Sequence, residues 1–173
     1  MFPDFVGADR PRLLELSLAA LESGRKSYGS RSRVRRWGPW AWSHGQRHPL
    51  PVDMGPFPDW LELIRLRADS LAGVGPSDSA SLNEFPPGSS VAPHVESHVF
   101  EDYFTSVSFG GDGVLRLYGA DPATFRTGHD PGSFEEVPIP AQSLYSVLAP
   151  VVHSVATGPV TRYSIVFRRL RTA

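Results

Sequence analysis

Three residues in the second half of the chain carry the side chains of a metal site: His94, Glu96 and His153. Two imidazoles and one carboxylate on one side of an ion leave its opposite side open. An iron(II) oxygenase needs that openness to take up a cosubstrate and dioxygen. A closed four-ligand set would be structural instead. On a strand, residues two apart share a face, so His94 and Glu96 can reach one ion from one short segment. His153 would come from a distant strand. The His-x-Glu spacing alone is a weak signal, because polar residues two apart are common on solvent-facing strands. His98 has the parity of His94 and Glu96, and two readings stay open: a different metal set, or a surface residue. His44, His48 and His129 read as solvated loop or substrate-side residues.

The end of the chain adds cations. In a strand, Arg162, Ser164, Val166 and Arg168 fall on one face and Tyr163, Ile165 and Phe167 on the other. The second face is apolar and belongs in a core. The first then brings two guanidinium groups and a hydroxyl beside an expected interior. Burying an unpaired guanidinium is costly, so an anionic partner is implied. A dicarboxylate fits, with one arginine forked onto its distal end and the other near the metal. The alternative is an edge strand with two solvated arginines. Arg169 and Arg171 read as solvated tail charges.

The elements that must hold these residues come in two kinds. Residues 11–21 read as a helix, with Pro11 in its first turn, apolar Leu13, Leu14, Leu16, Leu18 and Leu21, and Gly24 as its stop. Residues 57–72 read as a second, opened by Pro58 and Asp59 and closed by Gly73. Trp60, Leu63, Ile64, Leu66 and Leu71 are its expected apolar face. Between the helices lie a basic run, with Arg31, Arg33, Arg35 and Arg36, and then Trp37, Trp40, Trp42, His44, Arg47 and His48. From about residue 81 the period changes to that of strands. Residues 104–109, 113–118, 134–139, 143–148 and 161–169 are short β-rich runs broken by turn residues. The 16 Gly and 17 Pro favour such a turn-rich fold over a helical bundle. An α+β, mainly β architecture follows: an antiparallel barrel or jelly roll with N-terminal helices packed on one sheet.

Composition sets the outer limits. A chain of 173 residues is most simply one domain. Its formal net charge of −1 provides no global attraction to nucleic acid, so local patches must carry any such contact. The absence of Cys removes disulfides, thiolate metal ligands and cysteine nucleophiles. No apolar run has the ~20 residues of a membrane span, and the N-terminus has no signal-peptide pattern. A soluble, intracellular monomer in cytoplasm or nucleus is expected.

Taken in order, the motifs resemble the AlkB-like iron(II)/2-oxoglutarate dioxygenases. Asn83-Glu84-Phe85-Pro86-Pro87-Gly88, Pro93-His94-Val95-Glu96, Thr105-Ser106-Val107-Ser108-Phe109-Gly110, His153 and Arg162 to Arg168 follow that family's order. The family pattern is Asn-x-Tyr, Gly, His-x-Asp, a Ser-rich strand, a distal His and Arg-x-Ser/Asn-x-x-x-Arg. The match covers residues 82–170, about half the chain. More loosely, Trp37-Gly38-Pro39-Trp40 and residues 51–58 resemble the family's nucleotide-recognition region.

The resemblance implies a double-stranded β-helix with a catalytic core over 81–173 and a helical, substrate-recognition region over 1–80. It implies that His94, Glu96 and His153 hold Fe(II). Asn83 would bind 2-oxoglutarate, Arg162 its distal carboxylate and Arg168 its 1-carboxylate end, with Phe85, Ser106 and Ser164 in the same pocket. The implied reaction couples decarboxylation of 2-oxoglutarate by dioxygen, to succinate and CO2, with hydroxylation of a C–H bond. On an N-methyl group the product would lose formaldehyde. Two residues depart from the pattern: Glu96 stands for the usual Asp, and Phe85 for the usual Tyr. The loop between His153 and Arg162 is also shorter than common. The stretch from His94 to Asp102 looks like that of members acting on RNA or tRNA, among them the tRNA wobble-uridine hydroxylase. Arg33, Arg35 and Arg36 could then neutralise phosphates, while Trp37 and Trp40 stack on bases and His98 sits near the substrate. A protein or small-molecule substrate, and a non-catalytic jelly-roll binding module, are the competing readings.

Overall fold

Alternation along the strands decides the architecture. The computed structural model describes residues 1–23, 25–26, 33–40 and 52–171. Along the chain these form α1 (Arg10–Glu22), β1 (Arg25–Lys26), β2 (Arg33–Trp37), β3 (Pro39–Trp40), β4 (Val52–Asp53), α2 (Asp59–Ala72), β5 (Ser79–Phe85), β6 (Ser90–His94), β7 (Phe104–Gly110), β8 (Gly113–Tyr118), β9 (Phe134–Ile139), β10 (Leu144–Val147), β11 (Val152–Thr157) and β12 (Arg162–Arg168). A six-stranded sheet runs β1-β2-β5-β12-β7-β10, and a four-stranded sheet runs β6-β11-β8-β9. Every pairing is antiparallel, and β3 and β4 form a separate ribbon. The two sheets make the double-stranded β-helix that the family resemblance implied and the strand pattern read as a barrel or jelly roll, with both helices on the outer face of the larger sheet.

That outer face is apolar. Ala80 and Leu82 of β5, Val107 and Phe109 of β7, and Ile165 and Phe167 of β12 pack with Leu13 and Leu21 of α1 and Leu61 and Ala68 of α2. Helical spacing puts Leu13, Ser17 and Leu21 on the buried side of α1. The apolar face expected for α2 is corrected in part. Leu61 and Ala68 are its buried apolar residues, with Trp60 and Ile64 packed against the core and only partly buried. Leu63, Leu66 and Leu71 are 69%, 52% and 43% exposed. The reason for Leu63 and Leu66 is phase: with 3.6 residues per turn, residues 61, 64 and 68 line up and 63 and 66 fall on the other side, whereas Leu71 shares the phase of Ile64 but sits in the last turn of the helix. Gly73 ends α2 in the left-handed region at φ 66°. Gly24, the stop expected for α1, lies outside the described residues.

The inner face of the larger sheet is different. The same strands turn Ser81 and Asn83, Ser106 and Ser108, and Arg162 and Ser164 towards the smaller sheet. An apolar cluster of Phe104, Tyr145, Leu115 and Ile139 closes one part of this interior. The remainder is polar yet buried, which a purely structural β-sandwich would avoid.

Two local devices hold the entry to β5. Asp69 accepts hydrogen bonds from the Ser77 backbone N–H and hydroxyl, both at 2.8 Å, and from Arg65 at 3.0 Å. Gly38 joins β2 to β3 at φ 74°. A Cβ there would lie 1.9 Å from the Asp78 carbonyl oxygen, so the chain crossing requires glycine. Among the described residues, no helix is long and apolar enough to cross a membrane.

Candidate metal centre

The small sheet sets the two histidines side by side. In the antiparallel register of β11 and β6, His153 is the direct partner of His94. Their rings lie 4.4 Å apart between centroids. Each Nδ1 faces a carbonyl two residues earlier in the chain, Ala92 O at 2.9 Å and Val151 O at 3.1 Å. A carbonyl only accepts, so Nδ1 carries the proton in both rings. Nε2 is left with its lone pair, the form in which imidazole ligates metals.

Glu96 completes the set from a different backbone than expected. It lies beyond the end of β6, so the shared strand face predicted for His94 and Glu96 is not what unites them. Its Oε1 sits 3.8 Å from His94 Nε2 and 3.7 Å from His153 Nε2. Metal–ligand bonds of about 2.0–2.2 Å allow the donors of one ion to lie up to about 4.2 Å apart. Both distances therefore suit one ion, and ligand atoms of the three residues all fall within 4.8 Å of one another. His98 is exposed and stands outside this group.

Charge around the triad holds His153 and Glu96 in the forms that ligate a metal. Burial and the neighbouring His94 push His153 down to about 4, against the pull of Glu96. It is thus neutral at neutral pH. Burial works against a charge on His94 as well, but the hydrogen bond and charge of Glu96 raise it above the ordinary imidazole value. Burial alone would keep Glu96 protonated; Arg168 and His94 outweigh it and hold the carboxyl well below its usual range. Arg168 does this through a fork, Nε to Oε2 at 2.8 Å and NH2 to Oε1 at 2.7 Å.

Behind the triad a cavity of about 190 Å³ opens between the sheets. Arg36, Arg162 and Arg168 all line it. Arg162 is 1% exposed, and its Nε donates to Ser108 Oγ at 2.9 Å. Its NH2 group is buried with no hydrogen-bond partner among the described residues, as is NH1 of Arg168. Among the described residues no carboxylate pairs with Arg162. Asn83 also lines the cavity; its Nδ2 faces Ser81 O at 3.2 Å and Ser164 O at 3.4 Å. Phe85 lies at the cavity wall with the Arg162 guanidinium 5.5 Å from its ring centroid. Ser164 reaches the cavity, whereas Ser106 stands behind it and bonds Ser164 Oγ at 3.0 Å.

The residues expected at a substrate surface lie mostly inside the fold. Trp37 is 5% exposed and packs edge-on against Trp60 at 6.1 Å. Trp40 is buried against Phe100, with the Arg36 and Arg168 guanidinium groups 4.9 and 5.5 Å from its ring. Arg33 forks onto Glu84 with both bonds at 2.7 Å, and Arg35 lies over Trp37. Burial and Arg168 lower Arg36 to about 10. Sequence reasoning grouped Arg36 with a basic run and missed its place in the cavity. Strand parity held the signal: with Trp37 in the core, Arg33 and Arg35 share its face and Arg36 takes the other. His129 is exposed. Arg31, Trp42, His44, Arg47 and His48 lie outside the described residues.

A second cavity, of about 330 Å³, opens on the other side of the triad. Glu96, His153 and Phe104 line both cavities, so the candidate metal position lies where the two meet.

No protein-family model matches the chain, and neither does any curated protein. Solved structures do. The structure of OsALKBH1 superposes with a TM-score of 0.69 at 12% identity, covering 97% of this chain and 95% of that one. Recombinant oxalate oxidase in complex with glycolate reaches a TM-score of 0.48 at 12% identity, covering 88% of this chain and 58% of the other. The first likeness spans nearly the whole of both chains and shows a common fold.

Proposed function

We propose that this chain is an Fe(II)- and 2-oxoglutarate-dependent dioxygenase of the AlkB-like kind. The observation that carries the reading is Arg162: a fully buried guanidinium with a free donor, in a cavity bordered by two histidines and a carboxylate. A structural protein gains nothing from such a cation, and a dicarboxylate anchored at a metal accounts for it. The whole-chain likeness to OsALKBH1 supports the reading at the level of fold.

His94, Glu96 and His153 would hold the iron. Iron with 2-oxoglutarate and dioxygen supplies the oxidising power to hydroxylate a C–H bond, or to demethylate where the carbon is an N-methyl. The chain contributes position and charge. Arg162 offers its NH2 donor to the distal carboxylate of 2-oxoglutarate. Arg168 holds Glu96 ionised and aimed at the histidines, and its NH1 donor is available to a second carboxylate. Arg36 adds a third cation to the same cavity. Val166, Phe104 and Tyr145 line the cavity beside these polar groups and limit water around the reacting centre.

Anaerobic titration of Fe(II) with 2-oxoglutarate tests this. The expected result is a metal-to-cosubstrate charge-transfer band that His153→Ala removes, with iron-dependent succinate formation once dioxygen is admitted. No band at saturating iron and 2-oxoglutarate would overturn the enzyme reading and leave a binding module. The expectation of an RNA or tRNA substrate came from the resemblance of the His94 to Asp102 stretch, with Arg33, Arg35, Arg36, Trp37 and Trp40 as its physical support. Their engagement in ion pairs, core and cavity lends it no support.

A further inference from the structure

The second cavity is the place on this molecule from which a substrate can reach the triad. Its walls are mainly apolar, with Val95, Val147, Ala149, Pro150 and Val151 among them. Its volume of about 330 Å³ is at the small end of small-molecule sites. The charged and titratable groups lining it are Glu96 and His153 at the floor, and His98, Glu101, Asp102 and Arg171.

Arg171 is not available to an incoming anion. Its NH2 bonds Asp102, its NH1 lies 4.0 Å from Glu101, and its Nε donates to the Phe100 carbonyl at 2.8 Å. No other arginine or lysine lines this cavity among the described residues. Two carboxylates against one committed guanidinium leave the rim with a surplus negative charge. Loading the centre does not reverse this, because the formal charges of Fe(II) and a dicarboxylate cancel. A phosphate-bearing substrate would therefore meet repulsion with no uncommitted arginine or lysine to offset it among the described residues, whereas an ammonium group on an apolar stem would find both its charge and its stem matched.

We propose that the substrate of this site is a small cationic molecule, an alkylammonium compound whose apolar stem fills the second cavity and whose charge lies against Glu101 and Asp102. The assignment of the oxidised bond rests on the dioxygenase reading above; the binding preference does not.

The test is a calorimetric titration of the metal-free chain with three probes: butyltrimethylammonium, hexanoate, and a short single-stranded RNA. Because no iron is needed, it reads the cavity alone, while the charge-transfer band reads the metal centre alone. The ammonium ion is expected to bind about tenfold more tightly than hexanoate, the scale of one or two rim charges at short range. Ala149→Trp, which fills the cavity from an exposed position, should abolish the binding. Replacing the rim charges, Glu101→Lys with Asp102→Lys, should invert the preference by releasing Arg171. Thermal melting checks that both variants fold. Tighter binding of hexanoate or RNA to the unaltered chain overturns the proposal. So does an absence of ammonium binding, or ammonium binding that survives both substitutions.

Discussion

Arg168 and Glu96 lie 72 positions apart and meet in a two-point ion pair at 2.8 and 2.7 Å. The pair ties the last strand of the large sheet to the segment that leaves β6 in the small one. It also fixes the carboxylate whose Oε1 stands between the two Nε2 atoms. One guanidinium thus closes the two sheets together and aims a metal ligand. The long arm of Glu96 makes this possible, since the residue sits past the end of its strand and must reach back.

Shortening that arm is the first prediction. Glu96→Asp withdraws the carboxylate by about 1.5 Å, one C–C bond. It then falls short of the histidines or of Arg168. Iron affinity is expected to drop about 10- to 100-fold, the usual scale when a ligand loses the partner that orients it. Competition with a calibrated iron chelator measures it. Unchanged affinity would mean that the segment after β6 advances to restore both contacts.

Acid should unfold the metal-free chain in a definite window. His153 has an ordinary value of 6.5 and is held near 4 in the fold, first by burial. Between those values the unfolded chain binds the proton more readily, so stability falls as pH drops from about 6.5 to about 4. Glu96, also depressed, adds a loss as pH falls through and below its ordinary value of 4.5. His94 is raised and acts oppositely: its contribution is present below 6.5 and fades as pH rises. The metal-free protein should therefore be most stable near pH 6.5 and lose about 2–3 kcal/mol by pH 4. Urea midpoints across that range, in chelator, give the slope. His153→Gln should flatten it; an equal slope in the variant would assign the loss to other groups.

How much of this was legible beforehand depends on which physical signal each residue carried. β8 and β9 follow from alternation and turn residues alone, and their bounds agree with the sequence expectation. The triad was legible from the order of the motifs around it, since the His-x-Glu spacing alone is a weak signal. That Glu96 lies off the strand was not, because a two-residue spacing looks the same in a strand and in the turn that follows. Trp37 and Trp40 misled for a related reason. A tryptophan beside glycine and proline has the same local sequence whether it stacks on a ligand or fills a core, and only the pairing of β2 with β5 decides between them. The α2 face failed on phase: a helix rich in leucine offers several apolar stripes, and packing selects one.

Gly38 provides a test of the framework apart from the chemistry. Its φ of 74° and the 1.9 Å approach of a Cβ to the Asp78 carbonyl leave no room for alanine. Gly38→Ala must displace either β3 or the entry to β5, at a cost of about 2–4 kcal/mol. The denaturant midpoint should fall accordingly. Because Asp78 borders β5, which also carries Asn83, binding of 2-oxoglutarate should weaken in the same variant. A loss below about 0.5 kcal/mol, within the range of neutral surface changes, would mean that the crossing is looser than the contact implies.

Arg162 separates function from stability most cleanly. Its guanidinium is buried with one hydrogen bond to Ser108 and no carboxylate among the described residues, so the fold carries an uncompensated desolvation cost. Arg162→Met keeps the length and removes the charge. Replacing buried ionic groups with apolar ones of similar volume is often neutral or stabilising by about 1–4 kcal/mol. The metal-free variant should thus melt at or above the temperature of the parent chain. The same change deletes the anchor for a distal carboxylate, which is expected to weaken 2-oxoglutarate about 100-fold, or ~3 kcal/mol. Thermal melting with and without 2-oxoglutarate reads both effects at once, since a ligand that binds only the folded chain raises its melting temperature. The parent should shift and the variant should not. A variant that melts well below the parent, yet still responds to 2-oxoglutarate, would make Arg162 a structural residue and remove the main support for a dicarboxylate in this cavity.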